Sequence, residues 1–137
     1  DSHLRMPMNA QLVHTAKDAP IWVFYKDDAD GKSGALQNAG MRLFSSDMCL
    51  ESILKVLAAE GVSSLFVEGG GRVHSSFLKG GLVDKLYWFR APKILGDSAR
   101  GVLPDYHTQD LSDASQMYLK KICMLGEDRL EIYTRKS

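Results

Sequence analysis

Apolar positions along the chain come in short runs, broken by glycines and clustered acids. Residues 21–25 (IWVFY) are continuously apolar and aromatic between Pro20 and Lys26-Asp27-Asp28, the pattern of a buried strand. Residues 41–44 (MRLF), 64–67 (SLFV) and 84–91 (DKLYWFRA) predict three further strands. Helical signals lie between them. Residues 32–38 suit a short helix stopped by Gly40. Over 48–60, Leu50, Ile53, Leu54 and Leu57 recur at i, i+3, i+4 and i+7, which gathers them on one apolar face. Ser45, Ser46 and Asp47 are its N-cap candidates, and Gly61 is its stop. Residues 73–78 predict a short helix ending near Gly80-Gly81. Two extended runs, 116–125 and 129–135, flank Gly126-Glu127-Asp128 and read as a hairpin.

Strand and helix alternate through the first two-thirds of the chain. That order requires crossover connections and hence a largely parallel sheet. The expected architecture is α/β: a mixed, mostly parallel sheet flanked by helices, with a C-terminal antiparallel hairpin. No shift of composition marks a boundary, so residues 1–137 read as a single domain.

Composition removes several function classes. Of 137 residues, 45% are hydrophobic and 25% charged, the make-up of an ordinary globular protein. Lys+Arg and Asp+Glu number 17 each, which argues against a broad nucleic-acid surface. No apolar run approaches the roughly 20 residues of a membrane-spanning helix. Cys49 and Cys123 lack a Cys-x-x-Cys partner and read as two buried thiols of a cytoplasmic protein, with no metal site.

The chemistry concentrates in residues 66–78 (FVEGGGRVHSSFL). A predicted strand ends in Glu68, passes through Gly69-Gly70-Gly71 and opens a helix. Glycines permit close backbone approach and positive φ. A helix start offers unpaired N–H groups and a partial positive charge, which suit a pyrophosphate. The plainer alternative is a β–α turn built from glycines. His74 stands where G-x-G-x-x-G needs its third glycine, and no Gly-Lys-Ser/Thr follows, so neither dinucleotide nor Walker motif is met.

VEGGGRVHSSFLKGGLVDKL, followed by WFRAPKILGDSARG, is similar to the C-terminal reductase half of the bifunctional deaminase/reductase family of riboflavin biosynthesis. DSHLRMP at the start resembles that family's VDS-x-x-R-x-P turn. The resemblance spans the chain in order. It implies a dihydrofolate-reductase-like fold with NADPH laid across the carboxyl ends of the strands. It implies reduction of the ribosyl side chain of 5-amino-6-(5-phosphoribosylamino)uracil to the ribityl form. Carried over residue by residue, it assigns Gly70, Gly71, Arg72, Val73, His74, Ser75 and Ser76 to cofactor binding. It likewise gives Ser2 to the cofactor and Glu68 to the substrate. Arg5, Arg72 and Arg100 remain equal candidates for the cofactor's 2′-phosphate, and no residue is assigned as the proton donor.

The family's reductase domain begins upstream of the VDS turn, so the resemblance implies an N-terminally truncated domain, inactive alone. The deaminase half is absent: there is no His-x-Glu and no Pro-Cys-x-x-Cys. The family pairs two reductase domains, which implies a homodimer burying part of the hairpin. Two other readings stay open. One is a reductase of the same fold acting on a pterin or other substrate; the other is a non-catalytic nucleotide-binding or assembly module.

Overall fold

The structure, a computed structural model, describes residues 1–96 and 99–136. They group into two compact units, Asp1–Leu65 and Phe66–Ser137.

The first unit contains α1 (Gln11–His14), β1 (Trp22–Tyr25), α2 (Ser33–Asn38), β2 (Arg42–Ser45) and α3 (Leu50–Ala59). β1 and β2 pair in parallel, from Trp22 opposite Arg42 to Tyr25 opposite Ser45, with α2 in the crossover between them. Strand alternation then sorts the side chains. Val23 points into a core shared with Leu4, Val13, Ala16, Leu36 and Met41. On the other face Phe24 stacks on Phe44 at 5.1 Å and Trp22 tilts against Phe44 at 5.5 Å. The Arg42 guanidinium lies 4.8 Å above the Trp22 ring and pairs with Glu60 at 2.9 Å. Asp28 starts α2 by accepting the N–H groups of Lys32 and Ser33 at 2.7 and 3.0 Å. Hydrogen bonding from the Ser33 hydroxyl, then from the Ser33 and Lys32 N–H groups, holds its carboxyl below the usual aspartate range.

The second unit contains α4 (Gly71–Lys79), β3 (Lys85–Arg90), β4 (Met117–Leu125) and β5 (Asp128–Arg135). The sheet order is β3-β5-β4, antiparallel throughout, with a bulge in β4 between Leu119 and Lys121. Gly126 takes φ +66° at the start of the two-residue β4–β5 loop, the conformation that tight hairpins demand.

Glu131 is the buried charge of this sheet, 5% exposed. Arg90 and Arg129 face each other across β3 and β5, a like-charge pairing that would weaken the ladder. The Glu131 carboxylate bridges them, at 2.7 Å from Arg129 and 3.6 Å from Arg90, and accepts the Tyr133 hydroxyl at 2.6 Å. The Tyr133 hydrogen bond, followed by the two guanidinium charges, pulls the Glu131 carboxyl below its ordinary value.

Several expectations need correction. The α/β composition and C-terminal hairpin are present, but parallel pairing among the described residues is confined to β1 and β2. Residues 64–67 form no strand, because a strand exists through its ladder and none pairs with them among the described residues. Leu65 and Phe66 are exposed, with Phe66 edge-on to Tyr87. The apolar face of α3 is only half-buried. Its N-cap position is Cys49 rather than one of residues 45–47. Met48 takes φ +64°, which delays the helix, and Asp47 receives the Cys49 N–H and the Ser52 hydroxyl instead. Cys49 is therefore exposed rather than buried, and Cys123 is half-buried; both are free thiols. Helix α1 carried no recognisable signal in the sequence. Asp97 and Ser98, part of the stretch after APKILG, lie outside the described residues.

Leu4 is completely buried at φ +47°, so its side chain anchors the first turn in the core. Leu4→Ala is expected to lower unfolding free energy by about 2–5 kcal/mol in urea titration. Glu131 generates a pH prediction. Its folded pKa is depressed, so its contribution is complete above the unfolded value and is lost as pH falls through the folded one. Urea midpoints should therefore drop between neutral and acid pH, and Glu131→Gln should flatten that drop while lowering stability at neutral pH.

Candidate functional site

The glycine turn leads from an irregular segment into α4. Gly70 is the N-cap residue, at φ −43° and ψ 163°, and no side chain caps the helix. The N–H groups of Val73 and His74 both reach the Gly70 carbonyl, at 2.9 and 3.3 Å. The amides of Gly71 and Arg72 precede them, where a helix offers no internal acceptor. A short row of donors and the positive end of the helix dipole therefore coincide at this turn.

The three glycines serve different ends. None of Gly69, Gly70 and Gly71 takes positive φ, so the freedom expected of them is not the one used. At Gly71 a Cβ would lie 2.5 Å from Pro104 Cδ and 2.6 Å from the Val102 carbonyl oxygen. The close approach at Gly71 is made by the chain's own loop. Gly70 is the open one: a Cβ there would meet nothing within 4 Å.

Around the turn, side chains are committed to holding it. The Ser75 hydroxyl, on a residue 3% exposed, donates to the Pro104 carbonyl at 2.6 Å. Ser76 donates to the Arg72 carbonyl one helical turn back, at 2.9 Å. His74 Nε2 lies 3.3 Å from the Val67 carbonyl oxygen. Arg72 pairs with Asp105 at 3.4 Å, both well exposed, an interaction of little energetic weight. Val73 is exposed. Thus the serine hydroxyls are engaged within the protein, and the polar groups left at the turn are backbone amides.

Glu68 sits immediately before the glycines and is exposed; none of the ion pairs among the described residues includes it. Ser2 belongs to the first unit. Its carbonyl accepts the N–H groups of Lys26 and Asp27, at 2.8 and 3.1 Å, which fixes it beside the carboxyl end of β1. Next to it, His3 Nδ1 meets Asp27 at 2.7 Å, a contact between residues too far apart in the chain for any local signal to announce it. Among the described residues no group of three or more His, Cys, Asp or Glu has the arrangement of a metal site. No described helix is long and apolar enough to cross a membrane.

Comparison with known proteins shows the family to which the chain is similar. The family described as the RibD C-terminal domain matches residues 1–130. The riboflavin biosynthesis protein RibD of Bacillus amyloliquefaciens is 30% identical over 133 residues, covering 93% of this chain and 36% of that protein. The 2,5-diamino-6-ribosylamino-4(3H)-pyrimidinone 5′-phosphate reductase of Methanothermobacter thermautotrophicus is 36% identical over 88 residues, covering 64% of this chain and 41% of that protein. Among solved structures, RibD of Acinetobacter baumannii superposes with a TM-score of 0.83 at 20% identity, covering 99% of this chain and 36% of that one. The chain thus spans little more than a third of the length of the RibD proteins it matches.

Two substitutions separate the glycines. Gly71→Ala should destabilise by about 1–3 kcal/mol, because the added carbon meets backbone and a proline ring. Gly70→Ala, opening into free space, should shift the thermal midpoint far less in the same melting experiment.

Proposed function

The chain belongs to the RibD C-terminal domain family, and from that membership we propose that it is part of an NADPH-dependent pyrimidine reductase domain of riboflavin biosynthesis. The substrate is 5-amino-6-(5-phosphoribosylamino)uracil, whose ribosyl side chain is reduced to the ribityl form. The observation that carries this reading is the glycine turn: first-turn amides without internal acceptors, beside the open Gly70, at the start of α4.

The residues present fit a dinucleotide phosphate. The amides of Gly71 and Arg72 bind the pyrophosphate, and Gly70 lets it approach. Val73, His74, Ser75 and Ser76 contribute as the helix that carries those amides, their side chains being exposed or engaged elsewhere. Ser2 is a cofactor contact on the strength of the family resemblance. Bound NADPH supplies a hydride. The protein's task is to hold donor and acceptor carbons in reacting geometry. Glu68 accepts a hydrogen bond from a substrate amine or hydroxyl and orients the sugar.

The proposal extends to setting and assembly. The protein works in the cytoplasm as a homodimer. Edge strand β4 leaves Leu119, Ile122 and Met124 at least half exposed, an apolar strip that a second copy would cover. Sedimentation should show a dimer at micromolar concentration, and Ile122→Lys should shift it toward monomer. The product of the full reading frame should consume NADPH when supplied with the pyrimidine, measured by the fall in NADPH absorbance.

The decisive experiment uses that full reading-frame product. Gly70→Ala should weaken NADPH binding roughly tenfold, about 1.4 kcal/mol, with the melting midpoint kept. Glu68→Gln should reduce turnover more than NADPH affinity. Unchanged NADPH affinity in Gly70→Ala would remove the turn from the cofactor site. Absence of turnover on the pyrimidine would favour a related substrate or a non-catalytic role.

A further inference from the structure

The ring of His74 reaches back across the whole glycine turn. It sits in the first turn of α4, yet its Nε2 lies 3.3 Å from the carbonyl oxygen of Val67, seven residues earlier. A carbonyl only accepts, so Nε2 must carry the proton. Val67 has no ladder partner among the described residues, and its carbonyl belongs to the peptide plane that leads into Glu68. That plane is rigid. A bond on its oxygen fixes the direction in which the Glu68 backbone starts, and hence where the carboxylate is presented.

We propose that His74 is a positioning residue: its Nε2–H clamps the Val67–Glu68 peptide to α4, setting Glu68 and the phosphate-binding amides in one fixed relation. This rests on the function proposed above, in which both ends of the turn meet the reactants. The geometry gives the clamp a reason. Gly69 and Gly70 have no side chains to hold the path of the turn, and a substrate carboxylate on one side must keep register with cofactor donors on the other. Ser75, bonded to Pro104, ties down α4 on its other side, so the helix is a stable base for the clamp. The ring is half-buried and acts through Glu68, with no contact to substrate required of it.

Two variants of the full reading-frame product test the clamp. His74→Phe keeps a flat ring and removes the donor; His74→Gln keeps an N–H at similar reach. His74→Phe should lower kcat on the pyrimidine about tenfold and change NADPH affinity much less. His74→Gln should recover most of that loss. Nitrogen-15 NMR of the wild-type imidazole should show the proton on Nε2, and His74→Phe should speed amide exchange at Glu68 and Gly69. Equal kcat in His74→Phe and wild type would overturn the proposal. So would His74→Gln behaving no better than His74→Phe, or a proton resident on Nδ1. The NMR readouts need no turnover. If the wild-type protein reduces no pyrimidine, the function fails while the tautomer and exchange rates still decide the clamp; if His74→Phe does not fold, His74→Gln and the tautomer decide it.

Discussion

Gly71 is the constraint on which the second unit turns. Pro104 and the Val102 carbonyl occupy the space where any other residue carries its first side-chain carbon. That contact brings the 102–104 segment against the start of α4, where Ser75 then finds the Pro104 carbonyl. A buried hydroxyl needs such a partner, so packing and hydrogen bonding at this corner support each other. The helix start is thereby held while its first amides, those of Gly71 and Arg72, meet no acceptor among the described residues. A site for an anion needs this combination of a fixed backbone and unused donors.

The three-stranded sheet of the second unit depends on its central strand. β5 pairs with β3 on one side and β4 on the other, so loss of β5 would leave two unpaired strands. It also carries Glu131, whose burial is tolerable because three donors surround it. The carboxylate turns the repulsion between Arg90 and Arg129 into a bridged triad. That triad is specific to the ionised state, which links the sheet's stability to pH.

The first unit is arranged around a different device. Leu4, at positive φ, drives its side chain into the core and so commits the opening turn to the carboxyl end of β1. Ser2 and His3 are carried there with it, their backbone and ring tied to residues 26 and 27. Strain at one residue is offset by complete burial of its side chain.

Local chemistry made much of this legible in the sequence. The apolar run at 21–25, the periodic residues of α3, the glycine punctuation and the hairpin loop each depend on neighbours close in the chain. Their elements lie within one or two residues of the expected positions. The glycine turn itself stood out for the same reason, and the family resemblance followed from it. Tertiary structure decided what local signals cannot carry. Residues 64–67 have strand composition but no ladder, because pairing belongs to a partner and not to a segment. Gly71 was legible as a glycine, yet the loop that requires it comes thirty-odd residues later. Arg90, Arg129 and Glu131 are ordinary charges until antiparallel register sets them side by side. His74 read as a missing glycine in a motif; only the folded turn brings its ring to the carbonyl before Glu68, since that distance is closed by the path of the backbone through space.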